Sequence, residues 1–303
     1  MNSHLEKTYF TVGGGLGDCI NVYCASPKSY SEQGDDIFST DLVASIWFRR
    51  LNDFKSKNRN TKIQLVITSH SSSAENFFKN NPYLDEIKFL GWPAKFFDRQ
   101  KYGIQPINQA FNFKEFEPSP VEFFLTEEQK KLLKELLPKE KFVVIHPFAR
   151  KSEREISLHF YCELIKELAN KGIKSVVIGA NNKVVTDDRT DNIREDFGFE
   201  HPYLINLVNK IDVSMVPHFI INASGFIGTH SCWILLAWWK KLKTLCLVPD
   251  IELFINGRGF MSWREWKKSD PYIWGLNKDF NKTIWIKEWQ KDFDYKEAID
   301  FLI

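Results

Sequence analysis

A chain of 303 residues, 43% apolar and 26% charged, has material for two domains of ordinary size and their cores. A formal net charge of +2 argues against affinity that rests on wrapping a polyanion, so nucleic acid is not expected as the main partner. No apolar run approaches the roughly 20 residues needed to cross a membrane.

In chain order, Thr8–Val12 is predicted as a first strand running into Gly13-Gly14-Gly15-Leu16-Gly17-Asp18. Glycines let backbone approach a ligand, and a loop at a strand's C-terminal end lies where open α/β sheets bind. Gly15, Gly17 and Asp18 are therefore candidates, although the loop has neither the Walker ending nor the dinucleotide spacing. After a polar insertion at 25–40, Asp41–Lys57 has helical periodicity. Ile63–Thr68 reads as a strand, Ser73–Asn80 as a short helix and Glu86–Leu90 as another strand, with Asn81-Pro82-Tyr83 breaking the chain between the last two. Residues 91–122 are rich in proline and aromatics and read as loops approaching a boundary.

A second block opens with a helix over Thr126–Leu137, capped by Thr126 with Glu127 and Glu128 in the first turn. Phe142–Ile145 is a strand ending in His146-Pro147, followed by a charged loop, Ala149–Glu155. A helix from about Leu158 to Lys171 stops at Gly172, and Ser175–Ile178 is a strand ending at Gly179. Leu204–Asn209 and Val213–Phe219 lead into the most informative stretch, 219–249. It contains a strand (Phe219–Ile221 or the Gly225–Ile227 step), the turn Gly228-Thr229-His230-Ser231, an apolar helix Cys232–Trp239 and a strand Thr244–Val248. Such a turn leaves backbone N–H groups aimed along the helix axis, an anion site, though an ordinary capped helix has the same pattern. The tail Trp285–Ile303 reads as helical. Alternating β and α in two blocks predicts an α/β chain of two Rossmann-like domains. The expected divisions are 1–120, 121–284 and 285–303, the last crossing back onto the first domain.

Four local patterns occur in one order: the Gly17-Asp18 turn, Asn81-Pro82-Tyr83-Leu84-Asp85-Glu86-Ile87, the His146-Pro147 turn with its charged loop, and the 225–248 unit. That order, from about residue 8 to 250, resembles the ADP-heptose:lipopolysaccharide heptosyltransferase family, glycosyltransferases of the GT-B fold whose two domains face across a cleft. The resemblance implies a nucleotide-diphosphate-sugar donor, an acceptor hydroxyl, inversion, and no bound metal or other cofactor. It puts Asp18 in the place of the general base and Arg154 in that of the family's pyrophosphate-binding lysine, in Arg154-Glu155-Ile156-Ser157 where the family has Lys-x-Trp-Pro. The family's Asp-Ser-Gly turn reads His230-Ser231-Cys232 here, and its later histidine is replaced by apolar residues near Ile234–Leu236.

Sugar transfer needs a base for the acceptor proton, and a placed carboxylate gives on the order of 10²–10⁴-fold. Asp18 suits that role, or it caps the helix expected near Cys19. The leaving diphosphate requires fixed dipoles and cations, for which Thr229, His230, Ser231 and Cys232, with Arg150, Lys151 and Arg154, are the candidates. His146 and Gly179 end strands at the same edge and read as cleft or plain structural residues. Asp187, Asp188 and Asp191 lie in a polar loop with no apolar helix to present them, so no metal is expected there. Trp238-Trp239-Lys240-Lys241 reads as core packing or as peripheral contact with a membrane surface. Five cysteines without a CxxC pair read as reduced thiols, and no basic-then-apolar leader opens the chain, so a cytoplasmic location is expected. The acceptor is open between a glycan, a protein and a modified nucleic-acid base. A GT-B-like binding protein without catalysis and another nucleotide-sugar enzyme, such as an epimerase, are the rival classes.

Overall fold

The computed structural model describes residues 7–14, 62–69, 73–89, 122–149, 155–180, 197–229, 231–255, 259–262, 280–287 and 293–303. The chain divides into two compact units, one through Lys130 and one beginning at Lys131.

The first unit holds a parallel sheet of β1 (Lys7–Gly14), β2 (Lys62–Ser69) and β3 (Glu86–Phe89), in that order. Ile63 and Leu65 of β2 are fully buried, as expected of an apolar strand that helices cover. Helix α1 (Ser73–Phe78) follows β2 and buries Phe77 and Phe78. The Asn81-Pro82-Tyr83 step is a turn with a mechanism: Asn81 Oδ1 accepts the Tyr83 N–H at 3.0 Å. Asp85 then locks β3 to the start of β2, its Oδ2 accepting the Ile63 N–H at 2.7 Å.

Helix α2 (Glu127–Leu136) begins with a reciprocal capping box. Thr126 Oγ1 accepts the Gln129 N–H, and Gln129 Oε1 accepts the Thr126 N–H at 3.0 Å. The same Gln129 oxygen accepts from Asn80 Nδ2, and Phe123 and Phe124 pack edge-on against Phe77 and Tyr83. The approach to α2 thus packs with the first unit, which runs through Lys130.

The second unit is built on a six-stranded, all-parallel sheet in the order β11-β8-β7-β4-β5-β6. Its strands are β4 (Phe142–His146), β5 (Lys174–Val177), β6 (Leu204–Asn206), β7 (Gly225–Gly228), β8 (Lys243–Pro249) and β11 (Asn281–Ile286). Antiparallel β9 (Glu252–Ile255) and β10 (Gly259–Ser262) form a separate hairpin after β8. Helix α3 (Leu158–Asn170) starts where Ser157 Oγ accepts the His159 N–H and stops at Gly172, which has φ +71°. It lays Tyr161, Leu164, Ile165 and Leu168 onto Val143, Ile145 and Val177 of the sheet.

Helices α4 (Val216–Asn222) and α5 (Cys232–Trp239) pack on each other, and α5 packs on β7 and β8. Phe219–Ile221, one of the two strands offered for this stretch, is helical, with Pro217 in the first turn where its missing N–H costs nothing. The Gly225–Ile227 step is the strand.

The tail differs from expectation. Asn281–Ile286, including Trp285, is an edge strand paired with β8, because Thr283-Ile284-Trp285-Ile286 fits a half-buried ladder better than a helix. Helix α6 (Tyr295–Leu302) comes later, capped by Asp294, whose Oδ1 accepts the Glu297 N–H at 2.8 Å. It packs on α3 and β8, burying Ala298, Ile299 and Leu302 in the second unit's core. Lys171–Asp300 and Lys282–Glu297 pairs hold its outer face.

Candidate functional site

From β4 the chain winds through β5 to β6 in one direction, while β7, β8 and β11 lie on the other side of β4. The strand order therefore reverses between β4 and β7, and a crevice opens beyond the C-terminal ends of such a pair. His146 ends β4 opposite Gly228, which ends β7. One residue further the Thr229 N–H donates to the His146 carbonyl oxygen at 3.2 Å, carrying the ladder into the turn. Thr229 is fully buried. Ser231 directly precedes α5, and its buried Oγ has no hydrogen-bond partner among the described residues.

The backbone here is packed tightly enough to require glycine. A Cβ on Gly228 would lie 2.9 Å from the His146 carbonyl oxygen and 2.8 Å from the Phe226 ring. Gly179, just beyond β5, has φ +138°, and a Cβ there would stand 2.5 Å from Phe148 Cδ2. The Phe148 ring meets His146 edge-on at 6.3 Å between centroids. His146, Phe148, Gly179 and Gly228 thus make one close-packed floor across the ends of β4, β5 and β7. Beyond β4, the Glu155 carboxylate accepts the Ala149 N–H at 2.5 Å and closes the base of the charged loop.

His146, Gly179, Thr229 and Ser231 therefore share one edge of the sheet, and Cys232 begins α5 beside them. Gly15, Gly17, Asp18, Arg150, Lys151, Arg154 and His230 lie outside the described residues, as do Asp187, Asp188 and Asp191. Among the described residues no group of three or more His, Cys, Asp or Glu side chains could hold a metal ion. The sequence reading missed Phe148, Gly228 as a site of enforced close approach, and the Glu155 closure. Of these only Gly228 carried a signal, as the glycine that opens the turn. The described arrangement suits an anion: N–H groups opening α5 and the buried Ser231 hydroxyl.

Solved structures share this architecture. ADP-heptose LPS heptosyltransferase II of E. coli matches over 98% of this chain and 97% of its own, with a TM-score of 0.52 at 10% identity. The chain has a heptosyltransferase fold. The glycosyl transferase family 9 structure from Veillonella parvula DSM 2008 matches over 99% of this chain and 92% of its own, with a TM-score of 0.51 at 10% identity. No family model matches the sequence, and no curated protein matches it at a significant level. The heptosyltransferase fold thus extends over essentially the whole chain, while side-chain identity is low enough that chemistry has to be argued from this chain's own residues.

Proposed function

We propose that the chain is a glycosyltransferase of the GT-B plan, moving a sugar from a nucleotide-diphosphate sugar to an acceptor hydroxyl with inversion. The observation that carries the reading is the switch point at His146 and Thr229, where the turn that opens α5 is hydrogen-bonded to the end of β4 and the strand order reverses. The second unit holds the donor. Its diphosphate lies against the N–H groups of 229–232 and the Ser231 hydroxyl, with Arg150, Lys151 and Arg154 as counter-charges and His146 and Gly179 at the crevice floor. Fixed dipoles of this kind cost no reorganisation as charge grows on the leaving group, so the protein itself replaces a metal.

The first unit supplies Asp18, in the glycine-rich sequence that follows β1, together with the acceptor surface. Asp18 takes the proton as the acceptor oxygen bonds to the anomeric carbon. The bond from that carbon to the diphosphate oxygen breaks, and the electron pair leaves with the nucleoside diphosphate.

ADP-heptose is the first donor to try, because the E. coli structure of like fold carries that name. Arg154 in place of lysine and His230-Ser231-Cys232 in place of Asp-Ser-Gly make other nucleotide sugars equal members of the panel. The acceptor is a glycan or another hydroxyl compound, met in the cytoplasm or at a membrane surface. Among the described residues no helix is long and apolar enough to cross a membrane.

The test is turnover. The intact chain, given a panel of nucleotide sugars and an acceptor extract, should release nucleoside diphosphate only when an acceptor is present. Asp18→Asn should lower kcat by about 10²-fold or more while leaving donor affinity in place. Donor binding with no release, unchanged by Asp18→Asn, would favour a binding protein. Turnover without acceptor would favour an epimerase-like enzyme.

A further inference from the structure

The edge of the second unit's sheet where its parallel strands begin, opposite the crevice, is crowded with lysine. Lys141 precedes β4, Lys174 opens β5, Lys243 opens β8, and Lys282 is the second residue of β11. Lys139 stands two residues before Lys141, Lys171 ends α3, and Lys240 and Lys241 form the turn between α5 and β8. Helix α6 ends at the same edge, since a Cβ on Gly225, at the start of β7, would lie 3.4 Å from Leu302 Cδ2. Three acids meet these eight lysines: Glu140 pairs with Lys174 at 3.1 Å, Glu297 with Lys282 at 2.6 Å, and Asp300 with Lys171. Lys139, Lys141, Lys240, Lys241 and Lys243 make no ion pair among the described residues, and the first four are exposed. The ends of α3, α5 and α6 each carry about half a negative charge, roughly 1.5 together, which offsets only about a third of this excess.

One of these lysines sits where geometry favours glycine. Lys241 has φ +58°, and the Lys240 and Leu242 N–H groups, donating to the Leu236 and Ala237 carbonyls at 3.0 Å, wrap the end of α5 around it. Helix α3 makes the same kind of stop with Gly172 at φ +71°. Glycine adopts this conformation without steric cost, whereas lysine is strained in it. Among the described residues the other non-glycine with positive φ is Asn209, a type that tolerates it. The chain thus keeps a charge at position 241 at the expense of its backbone.

We propose that this lysine-lined edge docks the second unit onto an anionic lipid bilayer. Every cation in it is lysine, a hydrated point charge on a flexible stem, and no arginine fork is present to chelate a single phosphate. The one ring among them, Phe301, lies under Lys243 at 4.7 Å and Lys282 at 5.9 Å, so it is not open to stack on a base. Strands about 4.8 Å apart set the charges in a row along the edge, which suits a continuous surface of headgroups. The crevice lies at the other ends of the same strands, so the proposal stands independently of the donor site.

The experiment is co-sedimentation of the intact chain with vesicles of phosphatidylcholine alone or with about 30% phosphatidylglycerol. The chain should partition onto the anionic vesicles only, and should leave them in about 1 M salt, where the Debye length falls to about 3 Å. Lys241→Gly should weaken partitioning about fivefold while its denaturant midpoint stays equal or rises, because strain leaves with the charge. Lys139→Glu, Lys141→Glu and Lys240→Glu together should weaken it at least about tenfold. The same reversal at Lys62, Lys88 and Lys130 of the first unit, equal in net charge, should change it by less than about threefold. Equal losses in the two triple variants, undiminished partitioning of Lys241→Gly, no preference for anionic vesicles, or tighter retention by duplex DNA than by vesicles at one salt concentration would each overturn the proposal. Should the first triple variant not fold, Lys241→Gly decides by itself. Nucleoside-diphosphate binding should be unchanged in every variant, and its absence from the parent would remove the donor site while leaving this proposal standing.

Discussion

The Thr229 N–H donates to the His146 carbonyl oxygen at 3.2 Å, joining the turn that opens α5 to the end of the neighbouring strand. This bond lies where the order of the parallel sheet reverses, so two residues 83 positions apart in sequence (229 minus 146) define one crevice. Its floor depends on backbone that no side chain can displace.

Gly179→Ala tests that floor. Its Cβ would stand 2.5 Å from Phe148 Cδ2 on a backbone with φ +138°, so either the ring or the chain has to move. The expected cost is about 1–3 kcal/mol of stability, read as a lower midpoint in denaturant unfolding. An unchanged midpoint would mean that Phe148 repacks freely.

Tyr161→Phe should leave stability unchanged or raise it. The ring is fully buried in the core, and its hydroxyl has no hydrogen-bond partner among the described residues. Removing an unsatisfied buried polar group recovers about 1–3 kcal/mol at most. Burial, with Cys246 and Glu155 nearby, pushes the Tyr161 hydroxyl well above the ordinary tyrosine value of 10.0. The group therefore stays protonated in the folded chain at pH values where the unfolded chain has already released its proton. Its contribution is intact below about pH 10 and declines as pH rises from there toward the folded pKa. The parent should lose more stability than Tyr161→Phe between about pH 9 and pH 11, measured by denaturant titration. Parallel losses would contradict the assignment.

Ile299→Ala tests the docking of α6. The side chain is fully buried in the cluster that includes Leu164 and Leu247, so truncation should cost about 2–5 kcal/mol, depending on how far the site collapses. Thermal unfolding of the variant should show the loss in the transition of the second unit. A surface-like change below about 0.5 kcal/mol would place the helix elsewhere.

Local signals made much of this fold legible. The apolar run Cys232–Trp239 is α5 to the residue, Gly172 stops α3 through its positive φ, and Thr126 caps α2. What escaped was decided by partners distant in sequence. Asn281–Ile286 becomes a strand because β8 offers it a free edge, and nothing in those six residues announces that edge. Phe219–Ile221, offered as one of two strands, is instead part of α4, which packs on α5. The β9–β10 hairpin did carry a signal, the Asn256-Gly257 pair between its strands, which is a hairpin-turn dipeptide. At the site, His146, Gly179, Thr229 and Ser231 were legible as strand ends and turn residues. The Glu155 clasp was not, because a carboxylate in a charged loop looks solvated until the backbone it meets is known.

The most direct test of the switch-point site is a calorimetric titration of the intact chain with nucleoside diphosphates, beside Arg154→Ala and Ser231→Ala. One diphosphate should bind, and Arg154→Ala should weaken it by more than about 1.4 kcal/mol, a factor of ten, with Ser231→Ala weakening it less. Absence of binding by any nucleoside diphosphate at millimolar concentration would contradict the donor site, and the transferase reading with it.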